Sequence, residues 1–247
     1  MNERYDDFDR LEVLTRITGI LVNKTPLRIG VGREETPLRI GVGREAPLGS
    51  AVDLAPLRIV FADGRTNPYI PGSSIKGVLR SLAESIAKAQ GHSVHGPWDF
   101  EAVENEAKNG EYCLICGIFG STKLASHVRV YDAYPESYAP TFVKTGVGIN
   151  RDFRGAQPGV LYTEEQVVPG VRWDFKMDVI NIRVFPEPLD ERGRLLRRVI
   201  DMLVKGMVQV GARRTIGYGL VELKDSRYEV YEVKGGALVK TSEGNLT

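Results

Sequence analysis

PYIPGSSIKGVLRSLAESIAKAQG, residues 68–91, is the stretch on which the fold turns. Pro68 and Pro71 stiffen the entry, and Ser73 or Ser74 then stands at an N-cap position, where a hydroxyl accepts from a free backbone N–H. Ile75, Val78, Leu79, Leu82 and Ile86 recur at helical spacing on one face, and Gly91 supplies the stop. The pattern predicts an amphipathic helix. Gly77 sits inside it at a cost of roughly 1 kcal/mol against Ala, which points to close approach by another backbone, RNA included. Free N–H groups and the positive end of the helix dipole suit a phosphate at this N-terminus, and Lys76 and Arg80, four apart, extend a basic edge. The same residues also read as an ordinary capped helix with a solvated basic edge.

Working outward, Leu11 to Val22 alternates apolar and polar positions and predicts a first strand. A Gly- and Pro-rich stretch follows to about Pro71, with a short strand expected at Leu57 to Phe61. It contains a tandem repeat: TPLRIGVGREE, Thr25 to Glu35, runs directly into TPLRIGVGREA, Thr36 to Ala46. Two copies of such a unit cannot bury a core, so the repeat reads as a duplicated loop or hairpin. Downstream, strands are expected at Val128 to Tyr131 and Trp173 to Val184, separated by a long irregular passage over 143–170. A second helix is expected from about Leu189 to Val210, on the apolar stripe Leu195, Leu196, Val199, Ile200, Leu203, Val204 and Met207, ending at Gly211. Closing strands carry Leu220, Val221, Leu223, Tyr228, Val230 and Val233. This order predicts an α+β fold: a ferredoxin-like (RRM-like) βαββαβ core with large insertions.

The 247 residues, 42% apolar, suffice for a substantial core, and 27 Gly with 13 Pro describe a folded, loop-rich chain. No window approaches ~18 uninterrupted apolar residues, which argues against a membrane-spanning helix. The opening MNERYDDFDR is charged and lacks the apolar run of a secretion signal, so a cytoplasmic location is expected. Balanced charge, +1 from 33 basic and 32 acidic residues, excludes a uniformly basic nucleic-acid binder but not a local basic groove. Arginines cluster around Arg28 to Arg65, at Arg151 and Arg154, and at Arg213 and Arg214; they serve either phosphate contact or solvated loops.

His92, His95, Cys113 and Cys116 form an HxxH-x17-CxxC pattern. Imidazole and thiolate at these spacings suit tetrahedral zinc; the competing reading is buried cysteines with incidental histidines. His127 lies in a strand-like run, where a core or surface role is expected.

Four motifs occur in one order. IPGSSIKG-LR resembles the hallmark of RAMP-superfamily proteins of type III CRISPR systems, and GARRTIGYG resembles that superfamily's glycine-rich loop before the last strand. CLICGIFGS, Cys113 to Ser121, resembles its cysteine pair followed by Phe-Gly. VGINRDFRGAQPGVLYTEEQVVPG, Val147 to Gly170, resembles the segment that forms the thumb of its backbone subunits. The resemblance runs from about residue 11 to 224. It implies a single RAMP domain over 1–247, with a zinc-binding subdomain inserted at about 92–120 and a thumb-like hairpin at about 143–170.

It further implies partners: guide RNA (crRNA), complementary target RNA, other copies or paralogues of the chain, and further effector subunits. Ser73, Ser74, Lys76, Arg80, Arg151, Phe153, Arg154, Arg213 and Arg214 would contact RNA, with Tyr162 a further stacking surface. Asp53, in AVDLAPLRI, stands where target-cutting members carry one Asp, and would act with a divalent metal, Mg or Mn, as an endoribonuclease. Asp63, in an Asp-Gly pair, reads instead as a turn residue. The alternatives are a non-catalytic subunit of the same complex, a guide-RNA-processing endonuclease of the superfamily, and an unrelated zinc-stabilised RNA-binding module.

Overall fold

A computed structural model describes residues 7–30 and 54–246. Most of the duplicated segment, and Asp53, lie outside the described residues. Ten strands and four helices occur among those described: β1 (Val13–Asn23), β2 (Arg58–Val60), β3 (Thr66–Pro68), α1 (Gly72–Ala89), α2 (Phe100–Asn109), α3 (Cys116–Phe119), β4 (Val128–Val130), β5 (Thr141–Ile149), β6 (Ala156–Val167), β7 (Arg172–Ile180), α4 (Glu191–Val204), β8 (Val208–Gln209), β9 (Leu220–Lys234) and β10 (Ala237–Leu246).

The main sheet runs β10-β9-β1-β7-β4, with β8 pairing β9, and every pairing is antiparallel. Taken in chain order, β1, α1, β4, β7, α4 and β9 are βαββαβ with β1 central, which is compatible with a ferredoxin-like core. Alternation makes β1 two-faced. Ile17 and Leu21 are fully buried on the covered face with Trp173, Phe175 and Met177 of β7 and the apolar stripes of α1 and α4. On the other face Arg16 pairs with Asp178 (Nε to Oδ1, 2.8 Å), and Tyr131 donates to the same carboxylate at 3.0 Å.

Several element boundaries differ from the sequence expectation. α1 begins at Gly72, so Ser73 and Ser74 lie in its first turn rather than at the cap, and neither hydroxyl caps it. Asp132, arriving from β4, accepts from the Gly72 N–H at 2.8 Å and takes the capping role. α4 ends at Val204, well short of Val210, because Gly206 adopts φ +66° and Val208–Gln209 leaves to pair with β9; Met207 is exposed. The passage over 143–170 is not irregular: β5 and β6 form a separate two-stranded antiparallel hairpin. β10 went unread. Gly235 and Gly236, at φ +59° and +79°, make the tight turn that folds it back on β9.

Gly77 also departs from its reading. A Cβ there meets nothing within 4 Å, whereas one at Gly72 would lie 2.2 Å from the Val130 carbonyl oxygen. The close backbone approach is at Gly72. In urea unfolding, Gly72→Ala should therefore lose about 1–3 kcal/mol through overpacking against β4, while Gly77→Ala should gain up to about 1 kcal/mol of helix propensity.

Asp178 supplies a pH test. Burial pushes its pKa up, but hydrogen bonds from Arg16 and Tyr131, with the charges of Arg16 and Lys176, outweigh this and hold it below 3.8. A depressed carboxylate stabilises the fold above its unfolded pKa and loses that contribution as pH falls through the folded one. Asp178→Asn should thus lower stability at pH 7 and shrink the further loss between about pH 4 and pH 2, read from urea midpoints across that range.

Candidate functional site

Two groups of side chains stand out, one at the root and tip of the β5–β6 hairpin and one in the insertion after α1. The hairpin's tip is Asn150 to Gly155. Asn150 Oδ1 accepts from the Asp152 N–H at 2.8 Å, and Asn150 N–H donates to the Gly155 carbonyl at 2.9 Å. This closed turn presents Arg151, Phe153 and Arg154 to solvent together, with Phe153 60% exposed. Val147, Ile149 and Leu161 are exposed below it. A hydrogen-bonded turn with two guanidinium groups and one aromatic ring can pair phosphates and wedge against bases.

The hairpin's root is tied to the glycine-rich loop. Glu164 is buried on β6 and receives two arginines: Arg213 Nε at 3.2 Å and Arg28 Nε at 3.8 Å. Burial pulls the Arg28 pKa down, Glu164 pulls it up, and Arg213 lowers it again. Arg213 also lies over the Tyr162 ring at 4.8 Å, so that ring is covered by a guanidinium, and Lys144 donates to the Tyr218 hydroxyl at 2.6 Å. Arg214 is exposed in the 3-10 turn Arg214–Ile216. Leu54 is bonded to β6 through the Thr163 carbonyl and the Glu165 N–H, at 3.2 and 2.8 Å.

The N-terminus of α1 differs from a bare phosphate cradle. Asp132 already occupies the Gly72 N–H. Ser73 and Gly77 are exposed one turn apart, while Ser74 and Lys76 are half-buried. Arg80 is turned inward; its side chain is 13% exposed, paired with Glu84 at 2.9 Å and donating to the Gly120 carbonyl at 2.7 Å.

In the insertion, α2 starts on an Asp99 cap and carries Glu106 back over the cysteine turn. His95, Glu106, Cys113 and Cys116 converge, their ligand atoms all within 4.8 Å of one another. Glu106 Oε1 accepts from the Cys113 N–H at 2.8 Å and lies 2.6 Å from His95 Nε2. Cys116 Sγ is 3.8 Å from the same ring nitrogen, and the Cys116 N–H points to Cys113 Sγ at 3.5 Å. The Cys116 thiol donates to Cys113, which lowers the Cys113 pKa to about 6 against burial and pushes that of Cys116 up. Two sulfurs, one nitrogen and one carboxylate oxygen make a donor set that fits a tetrahedral zinc-type cation. His92 is not brought to this cluster; it lies 3.1 Å from Glu191 Oε1 on α4. His127 is fully buried, 2.6 Å from Asp7 Oδ1 and with its ring tilted against that of Phe8.

Sequence reading missed Glu106, Asp132 and Glu164. Glu106 follows Val103 by three residues on α2, so it shares the side that faces inward. That spacing was a usable signal, but Glu101 and Glu104 nearby blurred it. Asp132 and Glu164 carried no local signal, since their partners come from distant segments.

The antiparallel sheet backed by two helices, with an arginine-tipped hairpin braced by a glycine-rich loop, sets the chain among α+β proteins of ferredoxin-like strand order. Within that class, a family model of the RAMP superfamily matches residues 21–222, and the chain belongs to that superfamily. RAMP proteins act in CRISPR complexes with RNA and other subunits, which gives the chain a CRISPR-associated, RNA-binding role. No curated protein matches it. Among the described residues no helix is long and apolar enough to cross a membrane.

The buried carboxylate makes a sharp test of the hairpin's root. Glu164→Ala leaves Arg28 buried with no counter-charge and should cost about 3 kcal/mol in urea unfolding. Adding Arg28→Met to that variant should restore much of the loss.

Proposed function

We propose that the chain is a guide-RNA-binding backbone subunit of a type III CRISPR RNA-targeting complex, in which Asp53 carries metal-dependent cleavage of the target RNA. The observation that carries the RNA-binding part is the hairpin tip, where Arg151, Phe153 and Arg154 are exposed together on a closed turn. Arginines there hold backbone phosphates, and the Phe153 ring wedges between bases of the guide–target duplex. Arg214 and the exposed Ser73–Gly77 edge of α1 extend the contact, with Ser74 and Lys76 beside it. Arg213 acts from behind, bracing the hairpin through Glu164 and Tyr162.

Asp53 directly precedes Leu54, which is anchored on β6 at the hairpin's root. A Mg or Mn ion at that carboxylate would neutralise phosphate charge and lower the barrier to attack by the neighbouring 2′-hydroxyl. That oxygen attacks phosphorus and gives up its proton, and the bond to the 5′ oxygen breaks, leaving a 2′,3′-cyclic phosphate and a 5′-hydroxyl. The cluster of His95, Glu106, Cys113 and Cys116 would hold a structural zinc. It has no part in the cleavage step.

In the complex assembled with guide and target RNA, Asp53→Ala should abolish target cleavage and leave target affinity within about twofold, well under 1 kcal/mol. Retained cleavage would overturn the Asp53 assignment and leave a non-catalytic subunit. Joint substitution of Arg151 and Arg154 by Ala should weaken RNA binding and reduce the salt dependence of log K by about 1–2. Unchanged binding and slope would remove the hairpin from the RNA interface.

A further inference from the structure

We infer that the cation site of the insertion is closed by Glu106, not His92, and that Arg80 on α1 balances its charge, so that the ion ties residues 92–120 together and Arg80 joins them to the body of the fold. This rests on the reading that the cluster holds a metal, and names the ligand set and its support. Four observations carry it. First, the ligand atoms of His95, Glu106, Cys113 and Cys116 already lie within 4.8 Å of one another, and His92 is committed to Glu191 instead.

Second, the hydrogen bonds of His95 turn one ring nitrogen toward the other donor atoms. His95 Nδ1 is 3.0 Å from the Gly96 carbonyl oxygen, so Nδ1 carries a proton and Nε2 is the ring's ligand atom. Nε2 lies 2.6 Å from Glu106 Oε1 and 3.8 Å from the Cys116 sulfur. At that distance Nε2 and Oε1 share one proton, and a dication that displaces it finds nitrogen, oxygen and both sulfurs already converged. Third, Glu106 Oε2 is buried and has no hydrogen-bond partner, though its side chain is only 12% exposed. A carboxylate kept there without full hydrogen bonding is costly unless it ligates.

Fourth, Arg80 is placed as an outer partner. Its Nη1 is spent on the Gly120 carbonyl beyond α3, its Nη2 is buried without a partner, and its charge is felt at the Cys116 sulfur. Two thiolates and one carboxylate around a dication leave the site one charge negative, and a fixed guanidinium offsets that. The sulfur-rich set favours a borderline cation of the zinc class over Mg or Ca. The ion would join α2 and the cysteine turn, while Arg80 ties that turn to α1.

The experiment measures metal content of the purified chain by mass spectrometry, zinc affinity by chelator competition, and cobalt(II) absorption. The wild type should hold one zinc and show thiolate–cobalt bands, His92→Ala should match it, and Glu106→Gln should bind at least about tenfold more weakly. Glu106→His, which keeps a donor, should retain the ion with a shifted cobalt spectrum, separating ligand loss from misfolding. Arg80→Met should weaken binding with the bands intact. Loss of metal in His92→Ala with full affinity in Glu106→Gln would overturn the ligand assignment alone. A wild type that takes up no zinc or cobalt would overturn the metal reading with it.

Discussion

Strand β1 is hydrogen-bonded along both edges, to β7 on one side and β9 on the other, and this double pairing constrains the rest of the molecule. With side chains alternating at a period of two, a one-residue slip would put Arg16 in the core and Ile17 in water. Its register with β7 sets Arg16 opposite Asp178 and Ile17 opposite Met177, so the ion pair and the core contact are fixed by one choice. The helices then have only one apolar face to cover, and both connections that cross it, α1 and α4, lie there. Two insertions lie between those elements: the segment after α1 that carries His95, Glu106 and the two cysteines, and the hairpin between β4 and β7.

The same alternation restricts where RNA can be read. RNA-binding sheets of similar topology stack bases on aromatic rings of their central strands. The outward positions of β1 and β7 hold Leu14, Arg16, Thr18, Ile20 and Val22 against Ile180, Asp178, Lys176, Asp174 and Arg172, with no aromatic among them. Tyr131, at the margin, donates to Asp178 and lies under the Lys176 ammonium at 4.3 Å. A surface already spent on internal ion pairs offers little to a base. The exposed aromatic beside unpaired guanidinium groups is instead Phe153, at the hairpin tip.

The core was legible in the sequence because it follows local rules. Period-two alternation located β1, and the apolar spacing of Ile75, Leu79 and Ile86 located α1. What stayed hidden depended on distant partners. Ser73 and Ser74 read as caps because cap residues are recognised by type, yet the donor was claimed by Asp132, 60 positions along the chain. α4 looked longer than it is because Val208 and Val210 continue an apolar pattern that belongs to a strand. The zinc-like pattern was half legible: three of the four donors follow motif spacing, while the fourth comes from a helix face that no motif marks.

Arg80 shows why motif residues cannot be assigned one role by position alone. In the sequence it stands one turn beyond Lys76 on a basic edge, a natural continuation of a phosphate-binding helix. In the fold, the helix has rotated its Ile75 and Leu79 side against α4 and the sheet, and Arg80 follows toward the insertion. There its guanidinium meets Glu84, the Gly120 carbonyl and the field of the cysteines. The glycine-rich loop repeats the lesson: Arg213 turns to a buried carboxylate and an aromatic ring, while its neighbour Arg214 remains exposed. In both segments one cation is spent on holding an inserted element against the core. The proposed RNA contacts then fall to the cations beside it, and the placing of that surface depends on the ones turned inward.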